Sequence, residues 1–157
     1  MNIAAQIRTR LGDEWLPEIY STKVRSDRTR SYSLDIPQRE NQAEIFHTLL
    51  GIELKVGKNR LACPDLSTAR YLRVFARMGC TEIALPYDIS RIPAIADELE
   101  TAWHKTLLFC SEAVAGSAET LKKRLRGRLL RMIREEITTI GAGEAMPQFR
   151  KATSQRS

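Results

Sequence analysis

The 157-residue chain holds only three cysteines and two histidines. Cys63, Cys80 and Cys110 are scattered, odd in number and without a CxxC pair, which argues against a disulfide framework and against a structural zinc site. His47 and His104 have no partner at ligand spacing, so a histidine-rich metal centre is excluded and both read as structural residues. No apolar run approaches the ~18 residues of a transmembrane helix, and no membrane partner is expected. The opening MNIAAQIRTRLGDEW lacks the continuous apolar core and small-residue cleavage site of a secretory signal. These absences set the expectation of a cytoplasmic protein in a reducing compartment. No Walker loop, GxGxxG, GxSxG or HExxH occurs, which removes nucleotide-binding, hydrolase-elbow and zincin chemistry.

What the chain does have is a globular composition, 43% hydrophobic and 28% charged, with a net charge of +6. Its length suits one domain with a self-sufficient core. The positive charge is clustered. KVRSDRTR (23–30) carries Lys23, Arg25, Arg28 and Arg30 against one acid, and LKKRLRGRLLRMIR (121–134) carries Lys122, Lys123, Arg124, Arg126, Arg128, Arg131 and Arg134 against none. Clustered cations attract polyanions by releasing their counterions, so nucleic acid is the expected partner. The competing reading is a solvated helix face and a basic loop.

Hydrophobic spacing outlines the elements. Ile3, Ile7, Leu11, Trp15 and Ile19 step by four, with Gly12 and Pro17 dividing the stripe into two short helices. SYSLDIP (31–37) alternates as a strand that Pro37 ends, while AEIFHTLLG (43–51) fits either a short helix or a strand. IELKVG then alternates strictly, with Ile52, Leu54 and Val56 on one face and Glu53 and Lys55 on the other. GKN turns the chain into a second strand, RLACP. Asp65 is placed to cap a helix whose inward residues are Leu66, Ala69, Leu72, Phe75 and Met78. TEIALPYD (81–88) comes next as a buried strand. Ile95, Leu99, Trp103, Leu107, Cys110 and Val114 mark a long helix. A final helix, capped by Ser117, is built on Leu121, Leu125, Leu129, Met132, Ile133, Ile137 and Ile140. The expected fold is α+β: a small sheet of three or four strands with a β-hairpin, packed by helices, with two long C-terminal helices. Residues 1–140 form one domain in this reading and 141–157 a flexible tail.

The chain's one acidic-x-Lys triplet, Glu53-Leu54-Lys55, lies inside the alternating strand. The stretch IELKVGKNRLACPDLSTARYLRVFARMGCTEIALPYD (52–88), which contains it, resembles the second half of the PD-(D/E)xK nuclease core, particularly archaeal-type Holliday junction resolvases. The resemblance implies a nuclease whose paired carboxylates hold Mg²⁺, which polarises the scissile phosphate and acidifies the attacking water. It makes Glu53 a metal ligand and Lys55 the catalytic lysine, on the same strand face. It also requires an acid on the preceding strand, for which Asp35 in LDIP is taken and Glu44 in QAEIF is the other candidate. Asp35 and Glu53 would then share the metal. Against this stands the plainer reading of Glu53 and Lys55 as a solvated strand face.

Arg70, Arg73 and Arg77 recur at i, i+3 and i+7, an outer guanidinium stripe suited to phosphate oxygens. Tyr71 and Tyr87 are candidates for base stacking or for half-buried core edges. Two functions compete on these grounds. One is a nucleic-acid-associated protein, in its sharpest form a metal-dependent nuclease. The other is a non-enzymatic interaction protein whose helices 92–115 and 118–140 bind a partner or a second copy.

Overall fold

A computed structural model describes residues 2–34, 42–141 and 148–149. The fold is α+β, with five α-helices and two three-stranded antiparallel sheets among the described residues. Helix α1 (Ile3–Leu11) starts where the Asn2 side chain accepts a hydrogen bond from the Ala5 amide at 2.7 Å, and it stops at Gly12, whose φ of 54° suits a residue without a Cβ. After a 3-10 turn, α2 (Leu16–Ile19) opens with Pro17 in its first turn, where a missing N–H costs nothing. The predicted division of the stripe therefore holds. Ile7, Leu11, Trp15 and Ile19 are buried, and a widened helical turn (Tyr20–Arg25) continues the chain.

Strand β1 (Thr29–Ser33) precedes a meander of β2 (Ala43–Thr48), β3 (Gly51–Val56) and β4 (Asn59–Cys63). The ambiguous 43–51 piece is thus a strand and its turn. Cross-strand pairs run Glu44–Lys55, Phe46–Glu53 and His47–Ile52 between β2 and β3, then Glu53–Ala62 and Lys55–Arg60 between β3 and β4. Helix α3 (Leu66–Arg77) begins at Asp65, which accepts from the Thr68 amide at 2.7 Å. Strand β5 (Cys80–Pro86) does not join the meander. It pairs with β1, from Thr29–Pro86 to Ser33–Glu82, and on its other side with β6 (Gln148–Phe149). The one sheet expected from sequence is thus two. The physical reason lies in the strands: Ile83, Ala84 and Leu85 are consecutive and all buried, so β5 is covered on both faces, whereas the meander alternates and leaves one face to water. Of 141–157, the described part is Gly141 and strand β6.

Helix α3 packs against both sheets on one side and against α4 (Ile92–Ala113) on the other. Its buried arc is consequently wide, running through Ala69, Tyr71, Leu72, Val74, Phe75 and Ala76, while Leu66 at its start is exposed rather than inward. Gly116, with a φ of 81°, lets the chain turn back into α5 (Glu119–Ile140). Helix α5 lays Leu125, Leu129, Ile133 and Ile137 into the core. Its cap position is Ala118 and no side chain bonds the first turn, so Ser117 does not cap it as expected.

Two ionic clamps tie this architecture together. Glu136 of α5 accepts from Arg8 Nε at 2.8 Å, Arg8 Nη2 at 3.0 Å and Trp15 Nε1 at 2.9 Å. Glu100 of α4 accepts from Arg70 Nε at 3.1 Å and Arg73 Nη2 at 2.9 Å. Burial pushes both carboxyls up, but the hydrogen bonds and the guanidinium charge outweigh it, and both carboxyls titrate below their ordinary range. A carboxyl depressed in the folded state contributes stability above its unfolded pKa of ~4.3 and loses it as pH falls through the folded value. The urea midpoint is therefore expected to drop between about pH 5 and pH 3, and the drop should shrink in the Glu100→Gln/Glu136→Gln variant. A wild-type midpoint that stays flat over that window would contradict the clamps.

Candidate functional site

The acidic-x-Lys strand presents Glu53 and Lys55 to the outer face of the meander, as its alternation requires. Arg60 Nη1 of the neighbouring strand sits 3.2 Å from Glu53 Oε1, and Glu44 lies directly across from Lys55. The face mixes signs: Glu44 is opposite Lys55, a favourable cross-strand pair, Lys55 is opposite the like-charged Arg60, and Arg60 turns to the diagonal Glu53. Glu44 and Glu53 share this face on a diagonal, and Asp35 lies outside the described residues. Among the described residues no group of three His, Cys, Asp or Glu side chains gathers as a metal site would need. One oxygen of Glu53 faces a guanidinium, and the carboxylate named from sequence as its metal partner is not among the described residues.

The arginine stripe of α3 is a correction. Arg70, Arg73 and Arg77 do not point outward. Arg70 reaches both Glu100 and Asp97, Arg73 reaches Glu100, and Arg77 Nη2 donates to the Ala43 carbonyl at 3.2 Å. Burial and the neighbouring Arg73 charge pull the Arg77 guanidinium below its usual pKa. All three seal the seams of α3 with α4 and with the meander. Glu100, which organises them, carries no sequence motif. Its spacing from Asp97, three residues along one helix, is the signal that could have matched it to Arg70 and Arg73.

The 23–30 cations are partly engaged within the chain, with Arg28 and Arg30 exposed beside aromatic rings. Lys23 lies 3.8 Å from Glu98, Arg25 Nε donates to the Ile140 carbonyl, and Arg28 sits 5.4 Å from the Tyr87 ring centroid. Tyr71 is fully buried and Tyr87 exposed beneath that guanidinium, which separates the two stacking candidates.

The cations of α5 behave differently. Lys123, Arg124, Arg126, Arg128 and Arg131 are exposed and Lys122 half-buried, and among the described residues none of the six has an ion pair or a side-chain hydrogen bond. Of the chain's 25 Lys and Arg, seven lie in 119–134 beside one of its 19 acids, which leaves 18 of each sign for the remainder. The entire net charge therefore sits on about four turns of one helix. Local spacing rewards little of this, since Glu119–Lys123 and Arg131–Glu135 are the favourable i, i+4 spacings within it. Cations near a helix N-terminus oppose the macrodipole, and Lys122–Arg126 and Arg124–Arg128 are like-charge i, i+4 pairs. Lys122, Lys123 and Arg126 also rim a groove of about 330 Å³ floored by Leu107, Cys110 and Val114 of the α4–α5 hairpin.

No family model matches the chain, and neither a curated protein nor a solved structure does. The reading of its function rests on the geometry of its charged faces.

One surface feature escaped the sequence reading because 43–51 could be helix or strand. Leu49 and Leu50 form the β2–β3 turn with 105% and 94% relative exposure, closed by a hydrogen bond from Thr48 Oγ1 to the Gly51 carbonyl. Turns favour Gly, Asn and Asp, so two bare leucines contribute nothing to folding. Leu49→Asn/Leu50→Asp is expected to leave the unfolding free energy from urea titration within about 0.5 kcal/mol of wild type. A larger loss would mean the tip is packed in solution.

Proposed function

We propose that the protein binds nucleic acid through its phosphate backbone, using Lys122, Lys123, Arg124, Arg126, Arg128 and Arg131 on the first turns of α5. The observation that carries this reading is the concentration of a charge equal to the chain's whole net charge on residues 119–134 of one helix, where six cations have no side-chain ion pair or hydrogen bond among the described residues and include like-charge i, i+4 pairs near the helix N-terminus. Local rules tend to be broken where function requires it, and a polyanion supplies the missing partner. The α3 arginines are engaged within the fold, as are Lys23 and Arg25 of the 23–30 group, while Arg28 and Arg30 sit exposed beside aromatic rings.

The competing reading, a partner or second copy on the C-terminal helices, relied on their apolar stripe. Leu125, Leu129, Ile133 and Ile137 are 8% exposed or less within the single chain, which leaves of that stripe the exposed Leu121 and the half-buried Met132 and Ile140. The test is fluorescence anisotropy with labelled duplex and single-stranded DNA across a salt series, comparing wild type with a variant carrying glutamine at all six positions. Binding by wild type and its loss in the variant are expected, with unchanged circular dichroism. Retained binding in the variant would refute the assignment. Adding Mg²⁺ or Mn²⁺ tests the nuclease form of the reading. Binding without cleavage is expected, since Glu53 faces Arg60, and metal-dependent cutting lost in Glu53→Ala would establish the outer strand face as an active site.

A further inference from the structure

The arrangement of charge around α5 specifies more than its sign. At 3.6 residues per turn, successive side chains are 100° apart. Taking Leu125 and Leu129 as the direction of the core, Lys122, Arg126 and Lys123 fan out along one side of the helix and Arg128, Arg124 and Arg131 along the other. Gly127 falls at the crest between them, directly opposite the core.

Gly127 is exposed and in the helix interior, where glycine is the least favourable residue after proline. A Cβ built on it meets nothing within 4 Å, so no neighbour in the chain requires its absence. Glycine at such a position lets an outside surface approach the backbone closely.

We infer that α5 lies in the major groove of B-form duplex DNA, with its two cationic flanks on the two phosphate walls and Gly127 against the groove floor. This rests on the nucleic-acid reading and names the substrate within it. A helix 10–12 Å across with its side chains matches a major groove ~12 Å wide. A single strand offers one line of phosphates and engages one flank. The A-form major groove of duplex RNA is too narrow to admit the helix. Gly127 itself offers no side chain to read base edges, and the cations beside it reach for phosphate, so binding through this helix is largely independent of sequence.

The experiment compares anisotropy on a 20-base-pair DNA duplex, the same RNA duplex and a DNA single strand, using wild type, Lys122→Gln/Arg126→Gln, Arg124→Gln/Arg128→Gln, Gly127→Ala and Gly127→Gln. Each flank variant is expected to lose on the order of tenfold or more in affinity and to lower the salt slope by about two, both by similar amounts. Gly127→Ala should raise the thermal midpoint. Gly127→Gln, also a better helix former than glycine, should nonetheless bind the DNA duplex at least tenfold more weakly. Insertion is overturned if only one flank matters, if Gly127→Gln binds like wild type, or if single strand or RNA duplex is preferred, and in each of those cases the phosphate-binding reading survives. If wild type binds none of the three, the phosphate-binding reading itself fails.

Discussion

Between 50 and 200 mM salt, the affinity of the protein for duplex DNA is expected to fall about a thousandfold. The magnitude comes from counterion release: each phosphate neutralised contributes ~0.9 to the slope of log affinity against log salt, and six contacts over a fourfold change in salt give about three decades. Six is the number of α5 cations without an ion pair or side-chain hydrogen bond among the described residues. The slope therefore counts contacts independently of their location. Replacing all six by glutamine should flatten it to near zero, whereas Arg60→Gln, at the meander face, should leave it unchanged. A wild-type slope near one would mean that the helix touches its partner with a single residue and that most of its charge is mere solvation.

Glu100→Ala is the substitution expected to cost the fold most among charged positions, about 3 kcal/mol. The Glu100 side chain is 16% exposed, and those of Arg70 and Arg73 are 25% and 24% exposed. Removing the carboxylate leaves Arg70 to Asp97 alone and Arg73 without its counter-charge in the α3–α4 seam, beside an Arg77 whose guanidinium burial already disfavours. The penalty arises mainly from these stranded cations rather than from the lost bonds themselves. It is set at the low end of the range for breaking a buried pair because water still reaches the seam. For a chain of this size the thermal midpoint should fall by roughly 6–12 °C. Glu100→Gln, which keeps the acceptor oxygen but not the charge, should lie between wild type and alanine. If alanine shifts the midpoint by less than 2 °C, the clamp is a surface pair and the arginines are free to turn outward.

Much of the local structure was legible because period and caps are local. The strict alternation of Ile52 to Val56 placed Glu53 and Lys55 on the outer face, Asp65 announced α3, and the spacing from Ile95 to Ile140 gave two long helices. Strand partnership was not legible. Nothing in TEIALPYD says that it pairs with Thr29–Ser33 instead of with the meander, because that choice depends on which surfaces α3 must cover. The orientation of Arg70, Arg73 and Arg77 was misread for a related reason. A single amphipathic stripe implies one buried side, whereas α3 is buried on two, so the apparent outer face meets the acids of α4. At the candidate site, the α5 cations were visible as a cluster, but that six of them have no acidic partner among the described residues depends on where the rest of the fold puts its acids.

The position of the charge also governs how the protein keeps itself apart from other copies. Neutralising the six α5 cations would leave 19 residues of each sign, a chain close to its isoelectric point at neutral pH. Colloidal repulsion between molecules would then vanish along with the binding surface. Under the proposed function, the helix that binds a polyanion also supplies the repulsion between free copies, so a complex titrated to charge balance is the state in which the exposed Leu49–Leu50 turn would meet its neighbours without that repulsion.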